Sequence, residues 1–530
     1  MPVDTVWLET KAAVSGLDQL GIRATAIRMY AHLIPSITNV TDRARYFSVH
    51  PYAIDCWARE VGTDDPVAFR QFLRRLECLL AIGERVRVYG SEEESYGVVG
   101  RIKIGRWLNK QPDPRDHDYA VPLDRLQEEY FGNSWGSLGQ YYGGPEAELG
   151  IIAWDEGFPK LTPLGQQLAA AFSTGVQQSH LSAVLKMQKP RIADIRKIGS
   201  KVRFDSLTPT EIRLLRDIFL DLSNHYGETG LRRRKSCLLV LSIARQMTGA
   251  MEDVASTVVE AALHGRCEQN LPYVPPAPLV DHLRLWKIYA FHELLALALE
   301  VLLATAVEVL QELEIAHAPA PATASELADR CLDKLPGHTG RKKINDLIDD
   351  SLRRFSEPSL TSAADPWEEE SLRKAARGSF YDSDFAGAMH SALKLIVRIF
   401  ARLPENPYLD FTNANMPIDK ERLGLPDLQQ FIIKHQSGTV MSALRELITT
   451  SVNLHLRVAT AKLAYNNDFT YKLVYESGRL RKVQKVDPGF SRPRLQQTAQ
   501  LLADIGLLDR RAKAFRITPD GIALLQQFGC

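Results

Sequence analysis

Most of the chain carries apolar residues at every third or fourth position, the spacing of helices that bury one face. Residues 21–35 and the stretch that follows Asp64-Asp65-Pro66 show this spacing near the amino end, and residues 180–315 show it throughout. Short alternating stretches predict few strands: a hairpin at residues 471–483, and a glycine-broken one at residues 95–107. We therefore predict a mainly α, multidomain helical protein.

Two segments end in a similar way. Residues 491–530 predict a helix ending at Gly506, a strand, a basic turn, a second strand, and a helix opened by Thr518-Pro519-Asp520-Gly521. Near Phe172, a strand also runs into Thr162-Pro163-Leu164-Gly165 and an alanine-rich helix. In each case the threonine can cap the helix and the proline can take its first position. Because this order is typical of winged helices, we predict winged-helix elements near both ends.

Breaks in composition predict five consecutive segments. The clearest boundary is the Ala/Pro-rich stretch AHAPAPATASE, which is typical of a linker. The segments are an N-terminal helical region ending in a winged-helix-like element (1–175), a central helical domain (176–315), the linker (316–326), a second helical region (327–425) and a C-terminal winged-helix domain with a basic hairpin (426–530).

The overall composition is that of a folded protein without a global charge. The 530 residues include 65 basic and 64 acidic side chains, so any nucleic-acid surface must be a local patch. Six scattered cysteines without zinc spacing indicate free thiols and a cytoplasmic location. The most apolar stretch, residues 294–310, carries Glu300 and Glu308, which favours a buried helix over a membrane span.

One local patch stands out, because residues 472–516 hold eleven basic and four acidic side chains. We expect Arg492 and Arg494 to project from a helix start and the later cations to lie on the hairpin turn, where they would contact DNA or RNA phosphates. A basic hairpin can equally be a solvated face or dock an acidic neighbour. The predicted nucleic-acid-binding residues are Arg479, Arg481, Lys482, Lys485, Arg492, Arg494, Arg510, Arg511 and Lys513.

Two other basic stretches have a structural and a functional interpretation. Residues 39–47 place Arg43 and Arg45 beside aromatic residues, which would suit an anion or a structural Arg–Asp pair, and we favour the latter. The run Arg232-Arg233-Arg234-Lys235 opens an apolar helix, where it would hold an anion or form a solvated corner. We favour the solvated corner.

Motifs for chemistry are sparse. The chain has no HExxH, GxGxxG or Walker pattern, and its histidines occur singly among apolar helix positions. We therefore expect no catalytic residues, no metal and no cofactor. Asp382, Asp384 and Asp410 would be the residues of a metal-dependent nuclease, although acids in this setting are usually helix caps.

Three segments, residues 20–47, 283–303 and 475–508, resemble large, mostly helical proteins encoded in bacterial antiviral defence clusters beside helicases or nucleases. The resemblance covers both ends and the middle of the chain, and it carries no catalytic motif. It implies a non-catalytic subunit that senses or holds nucleic acid for an enzymatic partner. It transfers no site residues.

These observations predict a nucleic-acid-binding or scaffold subunit of a prokaryotic antiviral defence complex. It would not be associated with a membrane, and it would recruit or regulate a helicase, nuclease or ATPase. Two alternatives remain open from the sequence: a kleisin-like winged-helix bridge for an SMC-type ATPase, and a divergent metal-dependent nuclease.

Overall fold

The computed structural model describes residues 18–90, 97–176, 178–268, 271–353, 368–413, 423–491, 493–511 and 513–530. Within them the protein is mainly α-helical, which confirms the predicted fold class. The helices are α1 (Arg23–Leu33), α2 (Tyr46–Glu60), α3 (Pro66–Arg87), α4 (Arg101–Leu108), α5 (Leu123–Glu129), α6 (Gly143–Glu148), α7 (Pro163–Thr174), α8 (Gln178–Lys186), α9 (Ile192–Lys201), α10 (Pro209–Leu220), α11 (Gly227–Gln246), α12 (Val254–His264), α13 (Val280–Ile315), α14 (Ala324–Leu332), α15 (Gly337–Gly340), α16 (Ile344–Arg353), α17 (Glu369–Tyr381), α18 (Phe385–Arg402), α19 (Leu409–Asn413), α20 (Leu425–His435), α21 (Val440–Asn466), α22 (Leu495–Asp504) and α23 (Pro519–Gln527). A π-helical turn, Leu138–Tyr142, leads into α6, and a 3₁₀ turn, Ala277–Leu279, leads into α13.

The described strands form antiparallel hairpins rather than a larger sheet. The strands are β1 (Ile152–Asp155), β2 (Phe158–Leu161), β3 (Arg266–Glu268), β4 (Leu271–Pro272), β5 (Leu473–Glu476), β6 (Arg479–Lys482), β7 (Leu508–Arg511) and β8 (Ala514–Ile517). Each odd-numbered strand pairs with the strand that follows it. Such short hairpins need an adjoining helical surface for stability.

Contacts divide the chain into two units, each built from separated segments. Unit 1 contains the described residues up to Met29 together with those of Arg284–Ser491, and unit 2 contains Tyr30–Leu283 and Arg492–Cys530. The sequence had predicted five consecutive segments instead. The last predicted segment, 426–530, is therefore shared between the two units.

Unit 1 contains the apolar part of α13. The two acidic residues in this apolar part, residues 294–310, have partners within the unit. Arg23 Nε lies 2.7 Å from Glu300 Oε1, and Lys482 Nζ lies 2.8 Å from Glu308 Oε1. These ion pairs explain how charged residues are tolerated on so apolar a helix. Among the described residues, no helix combines the length and hydropathy that crossing a bilayer requires.

Unit 2 holds α2–α12, α22 and α23 around an aromatic core. The rings of Tyr46 and Phe47 on α2 lie 4.8 Å and 5.3 Å, centroid to centroid, from Tyr142. Phe47 also meets Phe219 of α10 edge-on at 5.2 Å. The aromatic residues around Tyr142 therefore serve packing, where such pairs stabilise a core by about 0.5–1.5 kcal/mol each.

The hairpin predicted at residues 95–107 is wrong. Apart from residues 95 and 96, which lie outside the described residues, this stretch forms a turn and then helix α4. Ile104 and Leu108, one helical turn apart, are buried, whereas Ile102 is 60% exposed. Burial thus follows the helical period, because packing overrides the local alternation of Ile and basic residues.

Candidate nucleic-acid interface

Unit 2 contains two helix–hairpin–helix modules with the same local structure. The first runs from the π-helical turn and α6 through β1 and β2 to α7, and the second runs from α22 through β7 and β8 to α23. The hairpins have the same register, with Ile152 opposite Leu161 and Leu508 opposite Ile517. This is the element order that the winged-helix prediction requires, and the wider winged-helix assignment stays a prediction.

The same hydrogen bonds close both hairpins. Thr162 Oγ1 donates to the Gly150 carbonyl at 2.6 Å and caps α7 by accepting the Gly165 N–H at 3.1 Å. In the second module, Thr518 Oγ1 donates to the Gly506 carbonyl at 2.8 Å and accepts the Gly521 N–H at 3.1 Å. The Thr-Pro-x-Gly signal therefore specifies a threonine that joins the helix start to the turn before the hairpin.

The final glycine of the signal is required by a close approach. A Cβ added at Gly165 would lie 2.2 Å from the Ile151 carbonyl oxygen, and one added at Gly521 would lie 2.4 Å from that of Leu507. Only glycine fits at these distances. The two modules thus share the same strand register, closing hydrogen bonds and close approach, which the short sequence similarity alone does not establish.

The two hairpins differ in charge. The acidic hairpin (residues 152–161) holds two acids and one lysine, a net charge of −1. The basic hairpin (residues 508–517) holds four basic residues and one acid, a net charge of +3. Since the acidic hairpin has the same strand register and the same closing hydrogen bonds without these cations, the cations of the basic hairpin are not needed for that pairing.

The basic hairpin presents several cations to solvent. The Arg511 side chain is 85% exposed and its Nε lies 3.0 Å from Asp509 Oδ2, an exposed pair of little energetic weight. Lys513 and Arg516 are also exposed. Arg510 is half-buried near Asp42, whose pKa is raised by burial despite the nearby arginines. Predicted residues Arg511 and Lys513 are therefore accessible to a ligand, and Arg510 less so.

The helix of the second module is not accessible in the same way. Arg494 does not project from it as expected, because its guanidinium lies 5.1 Å from the Tyr30 ring centroid and donates to the Ile34 carbonyl. Burial lowers the pKa of Arg494. Asp504, at the other end of α22, is buried too. None of residues 493–504 is exposed, so α22 presents no exposed residue with which to enter a major groove. Arg492 lies outside the described residues.

Unit 1 contains the remaining four predicted residues, on and beside the unit-1 hairpin (β5 and β6). Lys482 does not point into solvent, because its Nζ pairs with Glu308 at 2.8 Å and also bonds Gln311. Arg479 donates to the Ala320 carbonyl at 2.5 Å but is otherwise exposed. Arg481 and Lys485 are exposed. The nine predicted residues therefore do not belong to one domain.

The arginines of residues 39–47 are structural. Arg43 Nη2 lies 2.9 Å from Asp504 Oδ1, and Arg45 Nη2 lies 3.4 Å from Glu211 Oε2, with all four side chains buried. The Arg45 guanidinium also lies over the Phe172 ring. The favoured structural role of these arginines is therefore confirmed, although their partners are Asp504 and Glu211 rather than the Asp42 of the same stretch. The Arg43–Asp504 pair fixes α22 in unit 2.

The run Arg232–Lys235 is not the solvated corner that was favoured. Arg233 is fully buried in unit 2, where it donates to the carbonyls of Ile218 and Phe219 at the end of α10. Its guanidinium lies 4.9 Å from the Tyr226 ring centroid. Arg233 thus satisfies the last carbonyls of α10 in addition to the left-handed C-cap at Asp221.

A buried cluster on α2 and α3 was not predicted. His50 Nδ1 lies 2.5 Å from Glu146 Oε1, and His50 Nε2 lies 2.8 Å from Ser137 Oγ and 3.2 Å from Glu77 Oε1. Burial alone would lower the pKa of His50, but the carboxylates of Glu146 and Glu77 raise it to about 9. Sequence reasoning missed the cluster because its members lie far apart along the chain.

The cluster has the distances of a Ser–His–carboxylate triad without its chemistry. Ser137 Oγ donates to Glu77 Oε1 at 2.8 Å, so its proton is directed away from the histidine. A histidine protonated at neutral pH cannot act as the general base. Ser137, His50 and Glu146 are all 0% exposed, which leaves no approach for a substrate. The cluster therefore holds helices together.

The pentapeptide Gly132-Asn133-Ser134-Trp135-Gly136 matches the G-x-S-x-G spacing of hydrolase nucleophile elbows, a match that we did not expect. Ser134 is exposed beside an open cleft of about 640 Å³. However, the element that precedes it is helix α5, whereas a nucleophile elbow joins a strand to a helix. The match is therefore limited to the sequence, and the local structure is not that of a nucleophile elbow.

The acids of the nuclease alternative lie at helix ends. Asp384 caps α18 by accepting the Gly387 N–H at 2.9 Å, and Asp382 is the residue that follows α17. Across the described residues, no group of three or more His, Cys, Asp or Glu side chains is placed to hold a metal ion. Comparison with protein families, curated proteins and solved structures finds no match.

Proposed function

We propose that the chain is a non-catalytic, nucleic-acid-binding subunit that contacts the phosphate backbone through the basic hairpin. The observation that carries this proposal is the matched pair of hairpins in unit 2. Their strand registers and closing hydrogen bonds are the same, yet their net charges are −1 and +3. Cations that a fold does not need, and that are exposed, are available to bind a polyanion.

The mode of contact follows from the accessibility of each element. Because none of residues 493–504 is exposed, sequence reading by helix α22 in a groove is not part of the proposal. The hairpin supplies Arg511, Lys513 and Arg516 as point contacts to phosphates. Such contacts give affinity and position without base specificity.

The wider setting rests on the resemblance of three segments to subunits of bacterial antiviral defence clusters. Under this proposal the chain acts in the cytoplasm, and an enzymatic partner such as a helicase, nuclease or ATPase supplies the chemistry. The long helical parts of both units would then serve as the scaffold for that partner.

The test is binding of labelled duplex DNA, duplex RNA and single strands to the full chain over a range of salt concentrations. Removing Arg511, Lys513 and Arg516 together by alanine substitution should lower the slope of log affinity against log salt. On duplex DNA the decrease should be about 0.9 for each phosphate that the variant no longer neutralises. The affinity for duplex should fall by at least about tenfold.

The matched control removes three other exposed cations of unit 2, each beside a carboxylate: Arg115, Arg191 and Lys197. This triple variant changes the net charge by the same amount and should keep wild-type binding. The proposal is abandoned if the wild type retains no nucleic acid at low salt, or if both triple variants lose binding equally.

A further inference from the structure

Helix α4 in unit 2 has one buried and one exposed face. The helix packs on α3, and its buried face holds Ile104 and Leu108. Lys103 and Arg106 are exposed, and the helical period places them about 60° apart around the axis on the opposite face. The chain stays helical for one residue beyond α4, so the exposed Lys110 continues the same face. The exposed face of α4 therefore presents a row of three cations.

These cations have no acidic partners in the part of the chain that the structure describes. None of Lys103, Arg106 and Lys110 forms an ion pair there, whereas the exposed Arg511 of the basic hairpin has Asp509 at 3.0 Å. Residues 101–110 contain four basic side chains and no acidic one, a net charge of +4. The acidic run at residues 92–94 precedes this stretch and lies outside the described residues. The charge of the α4 face is therefore not neutralised by described side chains.

Positive charge also predominates in the open cleft of about 640 Å³ that Lys103 lines. Arg70 and Arg74 line the same cleft, together with the acids Glu128 and Glu129. One of these acids, Glu129, is already paired with a neighbouring arginine at 3.1 Å. Three cations therefore face two acids in the cleft, so the acids do not cancel the charge of the α4 face.

The start of α4 lies beside the second module. Gln497 Nε2 on α22 donates to Asp42 Oδ1 at 3.2 Å, and a Cβ added at Gly97, four residues before α4, would lie 2.7 Å from the Asp42 Cβ. Arg101 of α4 and Arg510 of the basic hairpin are both charged neighbours of Asp42, whose pKa is raised by burial despite them. The start of α4 and the basic hairpin are therefore close to each other within unit 2.

We propose that the exposed face of α4, formed by Lys103, Arg106 and Lys110, is a second surface of unit 2 that binds the phosphate backbone of a duplex. This inference rests on the proposed function of the basic hairpin, to which it adds a second contact. A helix rises about 1.5 Å per residue, so the three cations span about 10 Å. One strand of a duplex carries about three phosphates over that length. The row of cations therefore matches a row of phosphates in length and in number.

The experiment measures binding of the full chain to labelled duplex DNA over a range of salt concentrations. Removing Lys103, Arg106 and Lys110 together by alanine substitution should weaken binding at least about tenfold. It should also lower the slope of log affinity against log salt by about 0.9 for each phosphate that is no longer neutralised. Because alanine favours helix and the three side chains are exposed, circular dichroism should be unchanged. Lys103→Arg with Arg106→Lys and Lys110→Arg keeps every charge and should bind as the wild type does.

The triple variant that lacks Arg115, Arg191 and Lys197 is again the matched control, because it removes three exposed cations of unit 2 that are paired with acids. The inference is wrong if the α4 triple variant binds duplex as the wild type does, or loses no more affinity than this control. Competition by polyglutamate as effective as that by duplex would also overturn it, since the partner would then be an acidic protein.

Failure of the proposed function gives a different result from failure of this inference. If the basic hairpin does not bind, the triple variant that lacks Arg511, Lys513 and Arg516 keeps wild-type affinity, while the α4 triple variant still loses it. If the α4 face does not bind, the two variants exchange these results. Loss of affinity in both variants, with the control unaffected, is the result that we expect.

Discussion

The acidic and basic hairpins of unit 2 are built alike and charged oppositely. Both are closed by a threonine that joins a glycine carbonyl to a helix start, and both need glycine at the third helical position. By strand register, Asp155 of the acidic hairpin corresponds to Arg511 of the basic hairpin. The comparison distinguishes the residues that are required to form the hairpin from the exposed residues that are not. Function can vary through the exposed residues without changing the fold.

The modules also differ in how they are fixed within unit 2. The helix of the first module contributes Glu146, which is paired with His50, and that of the second contributes Asp504, which is paired with Arg43. Both acids are buried. One anchor therefore depends on a titratable cation, whereas the other uses an arginine, which stays charged at every accessible pH.

The largest effect is expected from removing the permanent anchor. Arg43→Met should destabilise unit 2 by about 3–5 kcal/mol, because it leaves the Asp504 carboxylate buried and unpaired. Urea unfolding followed by tryptophan fluorescence measures this loss. Adding Asp504→Asn should restore part of it, since the amide carries no charge. A loss below about 1 kcal/mol would show that Asp504 does not depend on Arg43.

The titratable anchor should weaken in alkali. The folded pKa of His50 is raised to about 9 from an ordinary 6.5, so its stabilisation is complete below pH 6.5 and is lost as pH rises through 9. Between these values the melting temperature of unit 2 should fall, by an amount equivalent to about 1–3 kcal/mol. His50→Gln should be less stable at neutral pH and should lack this fall. A pH-independent wild type would contradict the assignment of a charged His50.

Smaller effects test whether the two turns are equivalent. Gly165→Ala and Gly521→Ala should each destabilise by about 2 kcal/mol, because each added methyl overlaps a carbonyl oxygen. Gly144→Ala is the control, since its Cβ meets nothing within 4 Å, and it should be neutral or slightly stabilising. A large loss at one turn and none at the other in thermal unfolding would show that the likeness is superficial.

The elements of this comparison were predictable from sequence to different degrees. The mainly α fold and the Thr-Pro-x-Gly helix starts follow from short-range patterns, and both are present. Helix α4 was missed because alternation over a few residues does not distinguish a strand from a helix. Local sequence signals therefore predict helix caps reliably but predict short helices and strands poorly.

The sequence alone could not predict whether each cation is buried or exposed. Arg43 and Asp504 are separated by most of the chain, and so are Arg494 and Tyr30. No local pattern distinguishes these buried arginines from the exposed Arg511. A positive surplus counted along the chain therefore overstates the binding surface, because Lys482 and Arg494 stabilise the fold.

The smallest expected effect is a transfer of charge between the hairpins. Asp155→Arg with Glu156→Ala gives the acidic hairpin an arginine at the position of Arg511 and leaves its Lys160, which corresponds to Arg516, in place. If these positions are not required for folding, this variant should fold normally. It should bind duplex DNA about two- to tenfold more tightly, and the slope of log affinity against log salt should be steeper by about 0.9. Circular dichroism and salt-dependent fluorescence anisotropy would measure both. Asp113→Arg with Asp116→Ala, an equal change of charge elsewhere in unit 2, is the control. An equal gain from both variants would mean that net charge, rather than a hairpin tip, governs binding.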